Sequence, residues 1–312
     1  MVTVSEETAV DYELTARIAT EAFAPARVAF SAERIRWLYE RGFGGGTTVL
    51  AATVDGRKVG QIALLGQSVQ IDGEICPAVQ LVDLFILQAY RSAQLARRLY
   101  KEVERICVER DIRYILALPN DKSALLNARF LKLTPLLSLP IRAGLSLRRP
   151  TASKLRYSGL CKSMTGAQAL ALLSAYGCPA TENGLRWDGA GLFDRLDDPT
   201  RDYAVHATTD LLLISSSRKT AGLPYAALCA FFARPQGAAG REDVGELVRA
   251  ACRLWQTPVF VYAGVNGRLP KLPGIALPAR LRRPILVQLR DMKRETPDLR
   301  LDRFELIDSD FA

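Results

Sequence analysis

The sequence predicts an α/β chain, with a mixed α+β sheet in each of two related domains, residues 1–150 and 151–312. Three observations carry this reading. The 312 residues exceed one small module and suit two domains of roughly 150 residues each. Helical periodicity and strand-like apolar runs follow one another as helix, helix, three strands, helix, strand, helix, strand. The second half then repeats that order more weakly.

In the first half, apolar residues recur at helical spacing over Asp11–Phe23 and Ala32–Arg41, and the glycines of Gly42–Gly46 stop the second helix. Thr47–Val54 reads as a strand. Asp55-Gly56 supplies a tight turn into Lys58–Gln70, and Asp72-Gly73 a second turn into Ile75–Leu87. Gln94–Arg110 is an amphipathic helix whose apolar stripe is Leu95, Leu99, Val103, Ile106 and Cys107. Tyr114–Leu118 is a short buried strand, Ser123–Phe130 a helix, and Pro135–Leu147 one or two closing strands. Arg148–Lys154 breaks the pattern and reads as a linker.

In the second half, Leu185-Arg186-Trp187 echoes Ile35-Arg36-Trp37. Strands follow over Asp202–Thr208, Asp210–Ser216 and Pro224–Ala233, then a helix over Glu242–Trp255 and a strand over Pro258–Ala263. Pro284–Leu289 and Phe304–Asp308 close this half as strands.

Composition narrows the function classes. Hydrophobic residues make up 49% and charged residues 24%, which suits a globular chain with real cores. No apolar run approaches the roughly 20 residues that span a membrane. The acidic N-terminus has no basic-then-apolar leader, so the expected location is cytoplasmic. The six cysteines form no CxxC pair and sit largely in apolar runs, as buried free thiols do. The one histidine, His206, rules out a multi-histidine metal centre, and no metal site is expected. It lies in an alternating segment, as a half-buried strand histidine would. The net charge of +9 suits an anionic partner such as a polyphosphate cofactor. The basic residues are spread out, without a tract interleaved with aromatics, which argues against a nucleic-acid groove but leaves tRNA open.

The most informative stretch runs from Val82 to Leu99. A strand enters a short loop, and the loop opens directly into a helix. Amides at a helix start lack intrahelical partners, and with the helix dipole they form an anion site. Small residues at Ser92, Ala93 and Ala96 let a phosphate approach the backbone, and Arg91, Arg97 or Arg98 could add charge. Arg97 and Arg98 also suit ordinary surface positions.

The hexapeptide Arg91-Ser92-Ala93-Gln94-Leu95-Ala96, after a strand and before a helix, resembles the Arg/Gln-x-x-Gly-x-Gly/Ala loop of the GNAT superfamily of N-acyltransferases. Pro119-Asn120 followed by Ser123 resembles its next motif, and the likeness covers about residues 19–147. The resemblance implies a tandem GNAT-like arrangement and acetyl-CoA, or another acyl-CoA, as co-substrate. It places the pyrophosphate at Arg91, Ser92, Ala93, Gln94, Leu95 and Ala96, and the pantetheine arm along Phe85, Ile86 and Leu87, with Asn120 nearby. A backbone N–H of that strand would polarise the thioester carbonyl. Asp83, the acid on this strand, is the candidate base, and a structural hydrogen-bond acceptor is the other reading.

Two positions depart from the family pattern. Gln94 stands where glycine is usual, and its Cβ disfavours a positive φ. Asn127 stands where relatives often carry a tyrosine acid. Arg234-Pro235-Gln236-Gly237-Ala238-Ala239 matches the loop formula again in the second half, as an ordinary Gly/Pro-rich turn also would.

The expected function is acyl-CoA-dependent transfer to an amine on a small molecule. An aminoacyl-tRNA-dependent transferase and a non-catalytic binding module are the alternatives. The acceptor and the oligomeric state stay open, a homodimer among the options.

Overall fold

The computed structural model describes residues 1–24, 29–148, 150–151, 154–176, 182–235, 240–294 and 299–310. Along the first part of the chain run β1 (Val2–Glu6), α1 (Tyr12–Ala22), α2 (Ala32–Glu40), β2 (Thr47–Val54), β3 (Arg57–Ile71) and β4 (Glu74–Ile86). They are followed by α3 (Ala93–Glu109), β5 (Tyr114–Ala117), α4 (Asp121–Leu131), β6 (Thr134–Leu139) and β7 (Ile141–Leu145). Next come β8 (Tyr157–Leu160), α5 (Gly166–Ser174), β9 (Gly184–Leu185), α6 (Gly189–Leu196), β10 (Tyr203–Ala207), β11 (Leu211–Thr220) and β12 (Leu223–Ala233). The chain closes with α7 (Arg241–Leu254), β13 (Val259–Asn266), β14 (Ile275–Ala276), β15 (Ile285–Asp291) and β16 (Arg303–Glu305).

The chain divides into two compact units. Met1–Val69, Ile75–Leu137 and Leu286–Leu299 form the first; Gln70–Glu74, Ser138–Ile285 and Arg300–Ala312 form the second.

Local chemistry sets the first unit's elements. Asp11, Ser31, Ser92 and Asn120 each turn a side-chain oxygen onto a first-turn amide and so start α1, α2, α3 and α4. Asp55-Gly56 and Asp72-Gly73 have positive φ at both residues, the two-residue turn whose twist matches antiparallel strands. The sheet order is β1-β2-β3-β4-β5-β15-β6, with β4 and β5 parallel. Leu99, Val103, Ile106 and Cys107 of α3 bury their stripe against Leu50, Ile62, Leu64 and Ile115 of the sheet.

The second unit has a related plan. β8, β10, β11 and β12 pair in antiparallel succession, and β12 lies parallel to β13. β7 then pairs antiparallel with β13, as β15 pairs with β5 in the first unit.

This corrects one reading. Pro284–Leu289 is a strand, but it completes the first unit beside β5 and does not close the second half. Reciprocally, β7 belongs to the second unit's sheet. A further correction concerns the Trp echo. Trp37 sits on α2, whereas Leu185 ends the short β9 and Trp187 precedes α6, so the shared triplet marks no equivalent position. The helices that match α1 and α2 in order are α5 and α6.

His206 is wholly buried, deeper than expected. Its Nδ1 lies 2.8 Å from Ser158 Oγ and its Nε2 2.8 Å from Ser215 Oγ, and burial pushes it down to about 3. Neither ring nitrogen meets a carboxylate, so this is a neutral strand histidine between two serines and not part of a triad. Cys76, Cys107, Cys161, Cys229 and Cys252 are buried free thiols; Cys178 lies outside the described residues. Among the described residues, no helix is long and apolar enough to cross a membrane.

Candidate functional site

The first unit's notable feature is where β4 leaves β5. Their parallel ladder runs from Ala78↔Tyr114 to Leu81↔Ala117 and ends there. Two residues later Asp83 takes φ 49°, the left-handed region, within the strand. β4 nevertheless stays close to β3 on its other side. A Cβ on Gly60 would meet Phe85 O at 2.6 Å, so this crossing requires glycine.

The end of β4 has a defined polarity. Leu87 N–H donates to Val59 O on β3 at 2.8 Å. Successive amides of a strand point to opposite edges, so the Ile86 N–H points to the opposite edge, where the β5 ladder has ended. Among the described residues, no side chain bonds to that N–H. Phe85, Ile86 and Leu87 are all buried. By the same alternation Phe85 faces β3 with Leu87, and Ile86 turns its amide to the opposite edge.

After a 3₁₀ turn at Gln88–Tyr90, α3 begins. Ser92 Oγ accepts the Leu95 N–H at 3.1 Å, while the Ala93 and Gln94 amides have no acceptor within the helix. The first turn of α3 carries no acid. Ser92, Ala93 and Gln94 are exposed; Leu95 and Ala96 send their side chains into the core. Gln94 is the second helical residue and no residue of the loop has positive φ, so its Cβ strains nothing.

Arg91 serves the loop itself. Its Nε donates to Ile86 O at 2.9 Å and its Nη2 to Ala22 O at 2.7 Å, tying the loop to the strand end and to α1. Arg98 reaches Val2 O, and Arg97 is exposed. Asn120 caps α4, accepting from Lys122 N and Ser123 N at 3.0 Å each.

Asp83 has a partner that spacing along the chain does not reveal. Tyr39 Oη on α2 donates to Asp83 Oδ2 at 2.7 Å, and Gln61 Nε2 on β3 donates to Tyr39 Oη at 2.7 Å. Burial raises the Asp83 carboxyl above its ordinary range, while the Tyr39 hydrogen bond and the Arg34 charge pull it back. Burial next to Asp83 pushes the Tyr39 hydroxyl far up, so it stays protonated.

Asn127 is sealed in the core. Tyr100 Oη donates to Asn127 Oδ1 at 2.6 Å, and Asn127 Nδ2 donates to Gln288 Oε1 at 3.1 Å. Tyr100 stacks on Phe130 and is buried, which keeps its hydroxyl protonated.

The second unit treats the same features differently. The β12–β13 ladder ends at Leu228↔Tyr262, and Phe231 then turns its backbone to the gap. There its N–H donates to Glu305 Oε2 at 3.0 Å and its O accepts from Asn266 Nδ2 at 3.0 Å. Tyr262 Oη also donates to Glu305, at 2.8 Å. Burial pushes the Glu305 carboxyl up to about 8, against the pull of Arg303. The start of α7 carries Glu242 and Asp243, and Asp243 takes the Gly240 N–H at 3.0 Å. The motif match there covers Gln236–Ala239, which lie outside the described residues.

No protein-family model matches this sequence, and no curated protein does. Solved structures do match. A probable N-acyltransferase from Enterococcus faecalis superposes with TM-score 0.64 at 11% identity, over 94% of this chain and 73% of that one. A tandem GNAT protein from the clavulanic acid biosynthesis pathway gives 0.55 at 11% identity, over 96% and 100%. Saccharomyces cerevisiae N-myristoyltransferase with bound myristoyl-CoA gives 0.56 at 13% identity, over 92% and 82%. The chain has the fold of these GNAT proteins, the tandem one among them.

Proposed function

We propose that this protein is an acyl-CoA-dependent N-acyltransferase that works in its first unit, with acetyl-CoA as the first co-substrate to try and a small-molecule amine as acceptor. One observation carries the reading. The acid-free start of α3, whose Ala93 and Gln94 amides have no acceptor within the helix, follows one 3₁₀ turn after a strand end whose Ile86 N–H points away from β3, past the end of the β5 ladder. A pyrophosphate suits the first and a thioester carbonyl the second. The solved structure of N-myristoyltransferase with its acyl-CoA supports the same cofactor class.

Each residue then has a task. Ser92, Ala93 and Gln94 present backbone donors to the phosphates, and Arg91 holds that loop in place. Ile86 N–H steadies the carbonyl oxygen as its charge grows. Asp83 takes a proton from the amine, so that nitrogen attacks the carbonyl carbon as a neutral nucleophile. The C–N bond forms and the C–S bond breaks. Asn127 has no acidic proton to give the leaving thiolate, so that proton comes from water.

Titration of the full chain with acetyl-CoA, read by calorimetry, tests the reading. Saturable binding is expected, and crossing an amine panel with an acyl-CoA panel should then release free thiol. No heat and no thermal shift with any acyl-CoA at millimolar concentration would overturn it.

A further inference from the structure

Asp83, Tyr39 and Gln61 come from β4, α2 and β3 and form one directed chain of hydrogen bonds. Gln61 Nε2 donates to Tyr39 Oη, and Tyr39 Oη donates to Asp83 Oδ2, at 2.7 Å each. Every donor in the chain points toward the carboxylate. Tyr39 and Gln61 are buried, and Asp83 is half-buried. Among the described residues, no hydrogen bond reaches Asp83 Oδ1, which leaves that oxygen for an incoming donor.

Two costs show that packing alone does not explain these positions. Asp83 holds φ 49° inside a strand, a conformation that a side chain with a Cβ adopts only when its surroundings impose it. Gln61 leaves its Oε1 buried with no partner while its Nε2 serves Tyr39. An apolar side chain at Gln61 would avoid that unpaired acceptor.

We propose that Tyr39 and Gln61 are positioning residues for acyl transfer, which keep the Asp83 carboxylate ionised and turned so that Oδ1 receives the proton of the acceptor amine. The inference rests on the assignment of Asp83 as the base. Tyr39 does not lose its proton in the step; it stabilises the charged form of Asp83 by donating to Oδ2. Gln61 polarises the Tyr39 hydroxyl and fixes its rotation. The other charged or titratable groups facing the pair are Arg34 on α2, Glu7 before α1, and Tyr12 on α1, whose ring lies 6.5 Å from that of Tyr39.

The test titrates the Asp83 carboxyl by carbon-13 NMR in the full-length chain, with Asp83→Asn to assign the resonance. In Tyr39→Phe the midpoint should rise by about one pH unit or more, the loss of one hydrogen bond to a charged acceptor. In Gln61→Leu it should rise by less, in the same direction. With an amine acceptor from the panel, the acid limb of kcat/KM should move by the same amounts while the Kd for acetyl-CoA stays unchanged. Midpoints unmoved in both variants would overturn the proposal even where Asp83→Asn abolishes turnover. Full turnover in Asp83→Asn would instead overturn the assignment of Asp83 on which it rests.

Discussion

Phe231 N–H on β12 donates to Glu305 Oε2 at 3.0 Å, whereas among the described residues no side chain accepts the Ile86 N–H beyond the end of the β4–β5 ladder. The neighbouring helix starts differ in the same sense. α7 opens with Glu242 and Asp243, and α3 opens with no acid. An anion is favoured at the α3 start and opposed at the α7 start.

One acyl-CoA per chain is therefore expected, at the first unit. Ala93→Glu puts a carboxylate on the exposed first turn of α3 and should weaken acetyl-CoA binding by about tenfold or more. The same kind of change on α7, Arg241→Glu, should leave the affinity unaltered. Calorimetry of both variants decides the point, and a second stoichiometric site in the wild type would contradict it.

Arg91 should matter first for stability. Its guanidinium satisfies Ile86 O and Ala22 O, and Arg91→Met leaves both without that donor. A cost of about 2 kcal/mol is expected, which lowers Tm by roughly 4–8 °C where the first unit, of roughly 150 residues, unfolds by itself. Arg91→Lys cannot span both carbonyls with one ammonium and should recover only part of the loss. Thermal unfolding without ligand gives the readout.

Glu305 makes the second unit's stability depend on pH in a defined direction. Its carboxyl is raised to about 8 in the fold, well above an unfolded glutamate, so between those values the native state holds the extra proton. Stability falls as pH rises through that window. Glu305→Gln has no proton to lose and should flatten this part of the Tm–pH curve. Its Tm at pH 8 should move toward or above that of the wild type.

The acid end of the curve belongs in part to His206. Its folded value of about 3 lies below that of an unfolded histidine, so the unfolded chain takes up the proton first as pH falls below about 6.5. Its contribution is intact above that value and is lost toward pH 3. His206→Asn should lower Tm at neutral pH, because the Ser158 and Ser215 partners are disturbed, yet show a shallower loss between pH 6 and 4.

Tyr100 and Asn127 test where the thiolate finds its proton. Tyr100→Phe leaves Asn127 Oδ1 without its 2.6 Å donor in the core and should cost about 1–3 kcal/mol. With water as the proton source, kcat with a competent amine should change less than twofold at a temperature where the variant is folded. A large fall in kcat with unchanged KM would make Tyr100 the acid.

Much of this was legible in the residues. The Asp-Gly turns, the α3 stripe and the strand–loop–helix passage at Ile86–Ala96 are local signals, and local geometry follows from them. β1 was hidden because it is short and mostly exposed, and the alternation of Val2 and Val4 covers too few residues to mark a strand. α5 and α6 are short, and α6 is rich in glycine, which weakens helical periodicity. The partners of Asp83 were hidden because Tyr39 lies 44 residues away and is brought near only by the packing of α2. The left-handed φ of Asp83 carries no glycine to announce it. The destination of β15 was equally invisible, since a strand's sequence states its two faces and not its neighbour.

β15 has a consequence for the order of events during synthesis. Residues 286–299 belong to the first unit, and β15 lies between β5 and β6 in its sheet. That sheet cannot close when the ribosome has made the first 150 residues. It waits, with the β5 edge bare, until nearly the whole chain has emerged. A fragment ending at residue 150 is in the same position permanently, so cutting the gene at the apparent midpoint should yield an aggregation-prone product.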